Sequence, residues 1–373
     1  MAEYEIRIDR SNPLAKEPAS GHNRWHPDIE PIVRCRPGDE VEMETRDAFD
    51  LQFAADDLTG EEIAGVDLDL VHPLTGPVFV EGAAPGDLLV VEILDVRPAG
   101  TPYTAQVPGF GFLRDDFPDP YIVKWDVEDG YATSASLPGV RVAGAPFMGI
   151  MGVAPSRELL GQITAREQAL LDRGGFVLPP DVGGAVPSDP DIAGEALRTI
   201  PPREIGGNMD IKHTAVGARL LMPVFTEGAL FSAGDAHYAQ GDCETCGTAI
   251  EMAATFRARF DLRKGVAAER GIRDVQFERD DYFLPPELQA PRRFFATTGI
   301  AVDGDGTNYS ENVTEAARNA LRNMIKHLGD EYGYTRQQAY TICSVAVDLK
   351  ISELVDVPNF IVSAVLPLAV VEN

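Results

Sequence analysis

Residues 234–251, GDAHYAQGDCETCGTAIE, crowd Asp235, His237, Gln240, Asp242, Cys243, Glu244, Cys246 and Glu251 between glycines. The preceding EGALFSA reads as a strand running into Gly234. If the extended backbone continues, Asp235 and His237 are two apart and project from one face. A carboxylate oxygen beside a neutral imidazole nitrogen suits Zn²⁺ or a similar divalent ion. The same two groups can equally satisfy each other by a hydrogen bond, and a metal site needs further ligands from elsewhere.

A second pair, Asp210 and Lys212 in NMDIKHTAVG, has the same spacing ahead of an apolar strand. On a surface such a pair contributes little; in a cleft it supplies a ligand or base and a cation for developing negative charge. By strict alternation Glu251 shares a face with Arg257, although Gly247 can bulge the chain and reset the phase. Cys243 and Cys246 form a C-x-x-C without the second half of a zinc knuckle or a thioredoxin-like context. His26, beside Asp28 in RWHPDIEP, and His72, in LVHPLTGPV, lie in extended, proline-held segments. A histidine of this kind is more often packed than ligating. The residues alone support a hydrolase-like cluster of unknown substrate.

The elements that must position these groups are mostly strands. EIRIDR, EVEMET, PVFVEG and DLLVVEILDV (87–96) are short apolar runs closed by Gly, Pro or Asp turns. GARLLMPVF (217–225) and ATFRARFDL (254–262) follow, the latter with Phe256, Ala258, Phe260 and Leu262 on one face. Ser156 can cap a helix carrying Leu159, Leu160, Ile163, Leu170 and Leu171 and ending at Gly174–Gly175. The Pro/Gly stretch 178–194 is a loop, either a lid or an inter-lobe connection. Ser310 can cap a helix with Val313, Ala317, Leu321, Met324 and Leu328, and Thr335 with Gln338 has capping-box spacing. The expected class is β-rich α+β, with a sandwich-like β core, additional α/β structure and C-terminal helices. The 373 residues form one catalytic chain, or two closely packed lobes, about 1–175 and about 195–373.

A formal net charge of −27 argues against nucleic acid as a partner, since phosphate binding needs clustered Lys and Arg, and disfavours docking on anionic membranes. There is no apolar run of about 18 residues and no signal-like N-terminus. Four cysteines in this length are no disulfide framework, which points to a reducing cytoplasm. The Asn-X-Ser/Thr matches at Asn308 and Asn312 are then chance.

NMDIK, GDAHYAQGDCETCGTAIE, the HPD near the start, HPLTGPV, PGDLLVVEILDV, FMGIMGVAPS and VDLKISELVDVPNFIVSAVLPL occur in an order that resembles the acetamidase/formamidase family. Cys243 stands where that family's block has glycine, and residues 49–70 align poorly with it. The resemblance implies hydrolysis of the C–N bond of small linear amides to carboxylate and ammonia, by a homo-oligomer, a dimer or higher. On these matched positions a divalent metal, Zn²⁺ first, would be held by Asp210, Asp235 and His237, with Glu251 as a further ligand. It would lower the pKa of bound water. Lys212 would face the oxyanion, Glu251 or Glu244 would carry the proton, and His26, His72, Gln240 and Asp242 would contact substrate. Trp25, Phe110, Phe112 and Tyr238 are pocket candidates by type. Two alternatives stay open: a metal-independent amidase with Cys246 as nucleophile, and a non-catalytic small-amide or metal-binding protein.

Overall fold

The computed structural model describes residues 2–280 and 293–371. The chain folds as a mostly β α+β protein. Among the described residues, hydrogen bonding joins thirteen strands into one branched sheet, in which strands from before residue 175 and after residue 195 are intermixed.

Its spine is the antiparallel pair Leu88–Gln106 and Glu251–Arg263. On the second strand Phe256, Ala258 and Phe260 are fully buried while Arg257 and Arg259 reach out, as the period-two pattern predicts. Each buried phenylalanine contributes roughly 1.5–3 kcal/mol. Arg259 bonds Glu40 at 2.6 Å and Glu92 at 2.8 Å across the neighbouring strands. Two register shifts, between Glu251 and Ala253 and between Arg257 and Ala258, place their extra residues on Leu88–Gln106 and leave the phase of Glu251–Arg263 intact. Glu251 therefore keeps the face it shares with Arg257, as strict alternation predicts, but at the buried end of the strand, where it is 2% exposed.

Phe231–His237 pairs with Phe147–Gly152 on one side, with Leu74–Val80 on another, and with the start of Glu251–Arg263 at its end. The four chain segments that carry the chemistry therefore meet at one end of the sheet. Gly206–Asn208 adds to the outer edge of Phe147–Gly152 and delivers Met209 and Asp210 to the same place.

Ser156 caps Arg157–Leu171 by accepting from the Leu159 amide. Only Leu160 and Ile163 of its stripe are buried, and Leu170 is exposed. The loop 178–194 is pinned rather than free. Buried Arg24 donates to the Asp69, Asp181 and Gly183 carbonyls, and Asn23 brackets Gly184 and Val186. The helix Val313–Tyr332 is capped by Asn312, not Ser310, because this phase buries Ala316, Ala320, Leu321, Met324, Ile325 and Leu328. Thr335 and Gln338 form the expected capping box on Arg336–Ala346. Strands Phe294–Gly299, Asp348–Glu353 and Ile361–Pro367 form a separate sheet under the first of these helices.

Candidate active site

Gly149 is the reason the site can close. A Cβ there would lie 2.6 Å from Asp210 Oδ1, 2.8 Å from Asp235 Oδ2 and 2.8 Å from His237 Cε1. Two carboxylates and an imidazole thus pack directly over a bare stretch of backbone. The Gly149 carbonyl also accepts the amides of Met209 (3.1 Å) and Asp210 (3.3 Å), which fixes the entering turn.

The imidazole of His237 is fully buried, with Phe147 edge-on at 5.0 Å. Its Nδ1 faces Gln240 Oε1 at 2.9 Å, and Gln240 Nε2 donates to the Asp210 carbonyl at 2.8 Å. A carbonyl only accepts, so the amide cannot be flipped, and Nδ1 must carry the proton. The lone pair of neutral His237 is therefore on Nε2. That atom stands 3.3 Å from Asp235 Oδ1, 3.3 Å from Glu251 Oε1 and 3.7 Å from Glu244 Oε1. Asp210, His237 and Glu244 offer ligand atoms within 4.8 Å of one another, and so do Asp235, His237 and Glu251. Among the described residues no donor reaches the buried Asp210 Oδ1 or Glu251 Oε2. Bonds of about 2.0–2.1 Å in a tetrahedron imply donor separations near 3.3–3.4 Å. The residues present fit a divalent ion.

Four residues at this site have left-handed backbones: Asp210 (φ 49°), Asp235 (φ 55°), Cys243 (φ 77°) and Glu244 (φ 43°). Such conformations cost about 1–3 kcal/mol each and collect at functional sites. They also explain where strict alternation fails. Asp210 turns into the cluster, while Lys212 turns away to pair with Asp348 and, at 3.2 Å, with Asp242. Lys350 closes that group on Asp242 at 2.5 Å and on Asp348 at 3.3 Å. Lys212 and Asp242 thus tie the 241–247 loop to the strand Asp348–Glu353 and do not line the pocket.

The pocket, about 450 Å³, is lined by Asp210, Asp235, Glu244, Glu251 and His72 together with apolar side chains including Phe110 and Phe112. Among the other expected contacts, His26 bonds Glu195 at 2.8 Å and the Asp28 amide at 3.1 Å, away from this wall. Trp25 packs over Gly152 and Tyr238 over Gly144, so neither reaches it. Cys246 is buried, its Sγ set 3.5 Å from the Thr248 carbonyl and 3.8 Å from that of Ala105. Burial pushes this thiol up to about 11, so it is neither ionised near neutrality nor on the wall. The exposed thiol that does line the pocket is Cys243.

The acetamidase/formamidase family model matches residues 7–373. The chain belongs to that family. It is 40% identical over 370 residues to the acetamidase of Mycolicibacterium smegmatis, covering 92% of this chain and 89% of the relative. It is 36% identical over 387 residues to the formamidase of Methylophilus methylotrophus, covering 98% and 93%. A solved γ-lactamase from Delftia acidovorans superposes with a TM-score of 0.93 at 35% identity, over 100% of this chain and 94% of that one. The protein is an amidase, cleaving the C–N bond of amides. The Cys243 backbone, φ 77°, is one that glycine adopts without strain, which suits the glycine that the resemblance places there.

At this candidate site the carboxyls are crowded enough to hold protons. Lost solvation, with Glu244 and Asp235 as neighbours, holds Asp210 well above the carboxylate range; lost solvation, with Glu251 and Asp235, does the same for Glu244. Burial raises Glu251 to about 7 against the pull of His237. Burial lowers the His237 imidazole, but Glu251 and Asp235 outweigh it and hold it well above its ordinary value. Asp235 is the one kept low: His237 and His72 overcome the effect of its burial. His72 is held below its usual range by burial, and its ring accepts or donates at Thr199 Oγ1, 3.2 Å away. Gly149 and Thr199 carry no charge and escaped a search by residue type. A glycine inside the apolar run FMGIMG was the available signal.

Proposed function

We propose that this amidase works with a divalent cation, Zn²⁺ first, held by His237 Nε2, Asp235 and Glu251, with Asp210 beside them. The observation that carries this is the Gln240 lock on His237, which aims the Nε2 lone pair at the carboxylates. Bound there, such an ion supplies Lewis acidity and makes water a better nucleophile near neutral pH.

The chain's own groups perform the rest. Glu244 lines the pocket beside the cluster; with a cation holding the neighbouring groups, its carboxylate would be free to take a proton from the attacking water and deliver it to the leaving nitrogen. A C–O bond forms, the C–N bond breaks, and carboxylate and ammonia leave. His72, neutral and on the wall, holds the amide by a hydrogen bond. Lys212 acts through its ion pairs, positioning the loop that carries Glu244. The relatives' names span open-chain and cyclic amides, so small amides of both kinds are substrates.

We also propose a cytoplasmic homo-oligomer, of dimer size or higher. All four cysteines are unpaired, and Val355 and Val357 are 81% and 67% exposed beside the three-stranded sheet. Light scattering after gel filtration tests the assembly. For the chemistry the test is ammonia release from acetamide and formamide before and after exhaustive chelation, with the metal content measured. Activity should vanish and return on adding Zn²⁺ or another divalent ion. Undiminished turnover by demonstrably metal-free protein refutes the cation.

A further inference from the structure

We infer that the substrate for which this site is shaped is a compact apolar amide larger than acetamide, with a branched, aromatic or cyclic hydrocarbon part. The inference rests on the amidase activity and concerns what fills the rest of the pocket.

The cavity of about 450 Å³ lies within the roughly 300–1,000 Å³ of sites for full-sized small ligands. At about 30 Å³ per water it equals some fifteen waters, far more than a one- or two-carbon amide displaces. Its polar lining comprises the four carboxylates, His72, Asn208, Arg114 and Cys243. Phe49, Val71, Phe110, Phe112, Ile200 and Met209 supply the apolar lining. Several of these positions are fixed. Phe49 and Val71 are 5% and 1% exposed, and the Phe110 ring lies within 2.6 Å of where a Gly247 Cβ would stand. The wall is therefore built into the fold and does not collapse onto a small guest. At the rim, Phe176 is 64% exposed under the Arg114 guanidinium, 5.6 Å from its ring centre, extending the apolar surface outward. An acetamide would leave this lining wet, whereas a hydrocarbon group on the acyl carbon would cover it. In a cyclic amide the same bond breaks, and the amine stays tethered to the carboxylate product.

The test is kcat/KM for formamide, acetamide, isobutyramide, benzamide and a γ-lactam, with wild-type protein. Each buried methylene should raise it about fourfold, so at least about tenfold separates isobutyramide from acetamide, with a further rise to benzamide. A flat or falling series from acetamide upward overturns the inference and leaves the amidase activity standing. No product from any member would remove both. Ile200→Phe, which fills the wall, should lower the benzamide-to-acetamide ratio about tenfold or more. An equal loss on both substrates, in a variant with wild-type melting, would count against the wall as a selectivity element.

Discussion

Replacing Gly149 by alanine tests the geometry of the site with one methyl group. The added carbon would stand 2.6 Å from Asp210 Oδ1, where ordinary contact begins at 3.4 Å, so that carboxylate must move by about 0.8 Å. From 2.8 Å, Asp235 and His237 must each move by about 0.6 Å. Gly149 does not have a left-handed backbone, so the effect is steric rather than conformational. Displacements near 1 Å at reacting groups cost up to about 10²-fold. We expect Gly149→Ala to lower kcat/KM by roughly 10–100-fold, or about 1.4–2.7 kcal/mol, and to weaken divalent-ion binding in parallel. Overpacking destabilises by about 1–3 kcal/mol, offset by about 0.4–1 kcal/mol from the stiffer unfolded chain. The net loss of about 1–2 kcal/mol is measurable by denaturant titration. Gly161→Ala is the control. Its Cβ meets nothing within 4 Å, and it lies on the exposed face of a helix, so stability should rise by up to about 1 kcal/mol with unchanged turnover. Steady-state kinetics and isothermal titration of metal decide the outcome. A Gly149→Ala enzyme with wild-type kcat/KM and ion affinity would show that the carboxylates over Gly149 are not the working site.

Gln240→Met removes the acceptor for His237 Nδ1–H and frees the ring to take the other tautomer. Activity or ion affinity should fall about 10–100-fold, and an unaffected variant would break the tautomer argument. Iodoacetamide should alkylate Cys243 before Cys35, Cys246 or Cys343, and inhibit as it does so, because only Cys243 is exposed. Peptide mapping that found native Cys246 modified first would contradict its burial. In metal-free protein, folded Glu251 keeps its proton up to about 7 while the unfolded carboxyl loses it near 4.5. His237 likewise keeps its proton above its unfolded value. The native state then binds more protons than the unfolded one in this window, so stability falls as pH rises. Melting of the chelated protein should decline from about pH 5 to pH 8, whereas the ion-loaded protein should vary little. A chelated protein that gained stability over that interval would reverse the assigned shifts.

Period-two alternation read the strand through Phe256 and Phe260 directly, because one face is dry and the other carries Arg257 and Arg259. The caps at Ser156 and Thr335 were legible for a similar reason: each is a local hydrogen bond between near neighbours. The Ser310 cap was not, since helix phase there was decided by burial of Ala316 and Ala320 against other elements. At the site, Asp235 and His237 were legible as neighbours two apart on one strand. The partnership of Asp210 with that pair, and the departure of Lys212, depended on a left-handed residue that no period describes. Glu251 stayed in phase with Arg257, and its burial came from what packs around the strand's first residue, which alternation does not describe. The fixed neutral tautomer of His237 required knowing that the Asp210 carbonyl lies under Gln240, thirty positions away in sequence.

The site's cost and its use have one physical origin. Asp210, Asp235, Glu244 and Glu251 face a single imidazole nitrogen region from which most water has been excluded, and Coulomb repulsion there is poorly screened. Without a cation the fold can hold the group only by leaving carboxyls protonated, as the upward shifts of Asp210, Glu244 and Glu251 describe. Left-handed backbones at Asp210, Asp235, Cys243 and Glu244 add strain to that repulsion. The opposing terms lie outside the cluster: the Lys212–Asp242–Asp348–Lys350 group holds the loop, Gln240 locks the ring, and Phe147 covers it. A divalent cation would displace the protons and turn the repulsion into attraction. Hence cation binding should stabilise this chain more at pH 8 than at pH 5, where protons compete for the same oxygens. Thermal shift with Zn²⁺ at the two pH values measures that difference, and an equal shift at both would show that the ion binds elsewhere.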